Sequence, residues 1–84
     1  MALELLGYSN DKQVLVTPYA KWRLGSRNLT YEEALEVLNK RDISYPKDED
    51  GRQKIRTTIG KGKKAFLVVF EDDQKIIIIT GGET

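Results

Sequence analysis

The sequence has no cysteine and no histidine, one tryptophan, one methionine and two prolines among its 84 residues. Without cysteine there is no disulfide, no thiol nucleophile and no thiolate metal site, a composition that fits a reducing compartment. Without histidine the usual general base and the commonest zinc ligand are missing. The longest uncharged apolar runs, Ala65–Phe70 and Ile76–Ile79, fall well short of the ~20 residues that span a bilayer. Met1–Tyr8 lacks the basic start of a signal peptide, so a cytoplasmic protein with no membrane partner is expected. Asp48-Glu-Asp50 and Glu71-Asp-Asp73 lack the alternation of a calcium loop and read as turns. Gly60-Lys-Gly-Lys-Lys64 lacks the glycine spacing of a phosphate-binding loop and joins strand to strand. Neither a metal nor a cofactor is expected.

What is present suffices for a fold: 39% hydrophobic and 32% charged residues suit one small domain. The expected domain is 1–84, with a core over about 13–80 and a loose tail at 81–84. Gln13–Val16 reads as a short strand. Thr17-Pro18 is a helix start, cap then proline at the first helical position, and a helix follows over Tyr19–Arg27, closed by Asn28. Thr30-Tyr-Glu-Glu33 is a capping box that opens a second helix to about Lys40, with Leu29 and Ala34 as a hydrophobic staple and Leu35 and Leu38 facing the core. Ile43–Tyr45 reads as a short edge strand stopped by Pro46. Arg52–Gly60 alternates, with Ile55, Thr57 and Ile59 on one face and Arg52, Lys54 and Arg56 on the other. Gly60-Lys-Gly62 turns the chain into Lys64–Phe70, apolar on both faces and so expected in the sheet centre. Lys75–Thr80 is the last strand, its four isoleucines expected in the core. The expected class is α+β: two short N-terminal helices packed on a mainly antiparallel sheet, with a three-stranded C-terminal meander and short edge strands.

A net charge of +1 hides a segregation. Lys12–Thr30 carries four basic residues and no acid, and Gly51–Phe70 carries six and no acid. Tyr19, Arg23 and Arg27 lie four apart on one stripe of the first helix. If the sheet face holding Arg52, Lys54 and Arg56 is open beside that stripe, the groups converge on a polyanion site, since a guanidinium can bond two phosphate oxygens at once. The competing reading is a solvated strand face, with Arg23 and Arg27 paired to Glu33 or Glu36 of the second helix. Trp22 and Tyr31 read as packing at the core rim.

Thr17-Pro-Tyr-Ala-Lys-Trp-Arg-Leu-Gly-Ser-Arg-Asn-Leu-Thr30, an acidic helix, Gly51-Arg52, Phe66-Leu-Val-Val69 and Ile77–Thr80 together resemble the bacterial and archaeal domain of unknown function 4258 over about residues 13–80. That family opens T-x-H-A-x-x-R-M-x-x-R-G-I-S. The order of elements also resembles BrnT-like and RelE-like toxins, small ribonucleases of toxin–antitoxin pairs. The resemblance implies a RelE/BrnT-like α+β domain, RNA or the ribosome as target, and an antitoxin-like protein partner. Arg23, Arg27 and Arg52 match the family's arginines. Tyr19 stands where the family has its histidine, and Asn28 where it has glycine. Taken with the expected convergence of the basic groups, the resemblance implies a metal-independent ribonuclease in which Arg23, Arg27, Arg52 and Arg56 stabilise charge at phosphorus while Tyr19 or Lys54 handles the proton. The alternative is a binding module for nucleic acid or protein that does no chemistry.

Overall fold

The computed structural model describes residues 3–84. A hairpin comes first: β1 (Glu4–Ser9) and β2 (Lys12–Val16) pair antiparallel around Asn10 and Asp11, whose φ values of 54° and 64° are those of a tight hairpin turn that Asn and Asp tolerate. The helices therefore follow a hairpin and do not begin the fold. Helix α1 (Pro18–Ser26) starts where Thr17 Oγ1 accepts from the Ala20 amide at 3.0 Å. Helix α2 (Tyr31–Lys40) has a complete capping box: Thr30 Oγ1 accepts from the Glu33 amide at 3.1 Å, and Glu33 Oε1 accepts from the Thr30 amide at 3.0 Å. Arg41, in the left-handed conformation, closes it. The two-residue strand β3 (Ile43–Ser44) leads to β4 (Arg52–Ile59), β5 (Lys63–Glu71) and β6 (Lys75–Glu83).

All six strands form one mixed sheet in the order β1-β2-β6-β5-β4-β3, in which β2 and β6 run parallel and the other neighbours antiparallel. The α+β class holds. The expected loose tail does not: β6 continues to Glu83, which pairs with Ala65, and Gly81 and Gly82 are buried. Sheet pairing satisfies that backbone where a frayed end would leave it to water.

Both helices lie on one face of the sheet. Against them pack Val14, Val16, Ile55, Ile59, Leu67, Val69, Ile76 and Ile78, with Leu24 and Leu38 from the helices, all essentially inaccessible to solvent. Each such side chain contributes ~1.5–3 kcal/mol through burial. The isoleucine run is therefore split: Ile76 and Ile78 are core, while Ile77 and Ile79 are only partly covered. β5 likewise turns Ala65, Leu67 and Val69 to the core and leaves Phe66, Val68 and Phe70 on the uncovered face. It is an interior strand with one wet face, because no helix crosses the back of the sheet.

Candidate functional site: a cationic and aromatic sheet face

Period-2 alternation puts Arg52, Lys54 and Arg56 on that uncovered face, since Ile55 and Thr57, which alternate with them, are buried. Cross-strand register sets Arg52 opposite Phe70, Lys54 opposite Val68 and Arg56 opposite Phe66. From β3, Ile43 stands opposite Arg56, and the Tyr45 amide donates to the Lys54 carbonyl at 2.9 Å, which brings the Tyr45 ring to the same face.

Phe66 is the centre of the patch. The Lys54 ammonium lies 5.3 Å from its ring centroid and the Arg27 guanidinium carbon 5.7 Å from it, both within cation–π range. Lys54 also lies 5.8 Å from the Tyr45 ring, and Arg56 Nη1 donates to the Tyr45 hydroxyl at 3.4 Å. Arg27 reaches the sheet's back although it belongs to the helix layer. β2 ends opposite Ile78, so the rest of β6 has no strand on that side; α1 takes the place, and the Glu83 amide donates to the Arg27 carbonyl at 3.1 Å. A Cβ on Gly82 would sit 2.4 Å from the Arg27 Cβ, so only glycine lets the arginine pass over this edge.

None of Arg23, Arg27, Arg52, Lys54 and Arg56 forms an ion pair among the described residues. The expected alternative, pairing of Arg23 and Arg27 with helix α2, does not occur: Glu33 is held by Lys63 at 2.9 Å, and its carboxyl is lowered from the ordinary value by the Thr30 amide and then by Lys63. The other carboxylates with resolved shifts are also engaged by cations. Glu71 bridges Arg41 and Lys12, whose hydrogen bonds outweigh the raising effect of burial and leave it lowered. Lys21 and Tyr31 hold Glu4 low, and Lys75 with the Gln74 and Lys75 amides lowers Asp72 to about 2. Ion pairs thus gather around Glu4, Glu33, Glu71 and Asp72, and the cations of the open sheet face take part in none among the described residues, although Asp42 lines the same cavity as Arg56 and Asp48 accepts from the Arg52 amide.

The expected site residues do not share a pocket. Arg27, Lys54 and Arg56 meet around Phe66, while Arg52 is on the same face one alternation further along β4. Arg56 also lines a cavity of about 190 Å³ with Asp42, Ile43, Thr58 and Lys64. Tyr19 and Arg23 stand on the flank of α1, where Arg23 lies 5.4 Å from the Trp22 ring and Tyr19 5.9 Å from the same ring. Trp22 is 61% exposed and Tyr19 56% exposed, so Trp22 is not the core-rim residue expected; Tyr31, whose hydroxyl donates to Glu4 at 2.9 Å, is half-buried against the core. Phe66 and Tyr45 were not expected at the site. Their signal is the alternation of β5 and the pairing of Ile43–Tyr45 with β4, read on the premise that one sheet face is bare.

No cluster of potential metal ligands exists among the described residues, and no helix is long and apolar enough to cross a membrane. Compared with protein families, curated proteins and solved structures, the chain finds no match.

Proposed function

We propose that this domain binds RNA on the open face of its sheet, with Phe66 and Tyr45 as stacking platforms and Arg27, Arg52, Lys54 and Arg56 holding phosphates. The observation that supports this most is a ring flanked by two cations, Arg27 and Lys54 about Phe66, with no carboxylate in ion-pair contact with either. A sheet face with a half-buried Phe66 and the exposed rings of Tyr45 and Phe70 suits unstacked bases, and cations beside it suit the backbone. Binding without chemistry is the reading these groups favour: they supply positive charge and planar surface, and the chain has no imidazole.

A second reading, a toxin-type ribonuclease with an antitoxin-like partner, draws on two further observations. Arg56 and Lys54 flank the Tyr45 phenol, the Arg/Lys/Tyr combination that charge stabilisation at phosphorus would use. Beyond the cations the same face carries the exposed Leu5 and the half-buried Val68 and Ile77, an apolar strip that a protein partner would cover.

The test is fluorescence anisotropy with labelled oligouridylate at low salt. The wild type is expected to bind, and Phe66→Ala to lose on the order of 5- to 100-fold, the range for one stacked base. No binding of either protein would refute the proposal. Shortening of the RNA during the titration, abolished by Tyr45→Phe, would move the conclusion to the ribonuclease.

A further inference from the structure

The sheet face is continuous with an exposed aromatic ridge on α1. From the Tyr45 ring the chain of contacts runs to Lys54 at 5.8 Å, on to Phe66 at 5.3 Å and to Arg27 at 5.7 Å. Arg23 is one helical turn before Arg27 on the same flank of α1. Its guanidinium carbon lies 5.4 Å from the Trp22 ring, and Trp22 stacks obliquely on Tyr19 with centroids 5.9 Å apart and planes at 49°. Rings and cations therefore line the surface from Tyr45 to Arg27 and from Arg23 to Tyr19, and the one-turn step from Arg23 to Arg27 joins the two runs beside the notch that Gly82 leaves. Arg23 has no ion-pair partner among the described residues, and its Nε is shielded from water with no hydrogen-bond acceptor.

The exposed tryptophan and tyrosine pack together on a nine-residue helix and form one contiguous aromatic surface. Their flank leads into the cationic face. We infer that the bound nucleic acid is a single strand that bends around the β6 edge, stacking bases on Phe66 at one end and on Trp22 and Tyr19 at the other, with Arg27 and Arg23 on the phosphates between. A duplex is too stiff to make that bend and offers no free base to either platform. The inference rests on the sheet-face reading and adds the form of the ligand and a second stacking site.

Trp22 is the only tryptophan, so its emission reports the ridge alone. With a single-stranded oligouridylate of about 12 nucleotides, within the span such proteins cover, Trp22 emission is expected to be quenched at the same concentrations that raise the anisotropy of the labelled RNA. Trp22→Ala is expected to weaken binding on the order of 10-fold and Trp22→Phe to recover most of it. Because the side chain is exposed, both variants should unfold with the wild-type midpoint. Anisotropy that rises with no change in Trp22 emission, and with Trp22→Ala binding as well as wild type, overturns the ridge while leaving the sheet face as the RNA site. No rise in anisotropy overturns both. A duplex of equal length binding as tightly overturns the single-strand inference. Equal quenching by poly-glutamate makes the ligand an acidic peptide and likewise overturns it.

Discussion

Gly82→Ala tests the edge on which the site is built. The new Cβ would lie 2.4 Å from Arg27 Cβ and 2.6 Å from its Cδ. Ordinary carbon–carbon contact is about 3.5 Å or more, so the end of α1 must retreat by about 1 Å. Arg27 Cβ is the root of its side chain and cannot swing away, because the Arg27 amide caps α1 by donating to the Arg23 carbonyl at 2.9 Å. The same retreat stretches the 3.1 Å Glu83–Arg27 hydrogen bond beyond useful length, a loss of about 1 kcal/mol. Overpacking adds roughly 1–3 kcal/mol, and a φ of 158° is one that side chains other than glycine rarely take. The expected destabilisation is about 2–4 kcal/mol, and at about 4–8 °C per kcal/mol for a domain of this size the melting temperature should fall by roughly 8–32 °C. Urea and thermal unfolding followed by circular dichroism measure it, with Gly25→Ala as the control. Nothing lies within 4 Å of a Cβ at Gly25, and alanine inside a helix should raise stability by about 0.5–1 kcal/mol. A Gly82→Ala protein within 0.5 kcal/mol of the wild type would refute the close seating of α1 on β6 and, with it, the passage of Arg27 to the sheet face.

Further outcomes follow from other parts of the fold. Gly81→Ala should be harsher still, because its Cβ meets Leu67 at 2.5 Å and the Phe66 carbonyl at 2.7 Å and a backbone atom cannot be moved aside; poor recovery of folded protein on expression is the readout. Thr30→Ala removes the cap of α2 and should cost about 1 kcal/mol in urea unfolding. Glu71→Gln leaves Arg41 and Lys12 without their shared, partly buried carboxylate and should destabilise by about 1–3 kcal/mol, a loss that 0.5 M salt reduces only in part. Glu4, Glu33, Glu71 and Asp72 all have carboxyls held below their ordinary values in the folded chain. Their contribution is therefore full above the unfolded carboxylate range and is lost as pH falls through the lowered folded values, toward about 2 for Asp72. Unfolding midpoints flat above about pH 5 and declining below about pH 4 are expected; stability that rises on acidification would contradict the ion-pair assignments.

The helices were legible because their ends are written in local chemistry: Thr17-Pro18 and Thr30-x-x-Glu33 act through the backbone of their own turn. β4 was legible because Arg52, Lys54 and Arg56 alternate with Ile55, Thr57 and Ile59. β1 was not, since a bulge between Leu5 and Gly7 breaks its alternation and its turn is Asn-Asp where Asn-Gly is the stronger signal. The end of β6 looked like a tail because Gly-Gly favours loops; both glycines are there for close contacts, with Leu67 and Leu24 on one side and Arg27 on the other, which only tertiary structure reveals. The same holds for the site. The cations could be picked out by their segregation from acids, but Phe66 and Tyr45 could not, because an aromatic on an apolar strand reads as core until the back of the sheet is known to be bare. Trp22 was misread for a similar reason: with Ala20 and Leu24 turned inward, it falls on the far side of α1.

Most direct is the salt dependence of single-stranded RNA binding by the wild type and by the triple variant Arg27→Ala, Lys54→Ala, Arg56→Ala. Each phosphate contact contributes a slope of about −0.7 in log affinity against log salt on a single strand, so the triple variant should bind weakly and with a slope shallower by about 2. A wild type that shows no affinity at low ionic strength, or two proteins with superimposable slopes, would contradict an RNA site on the open sheet face.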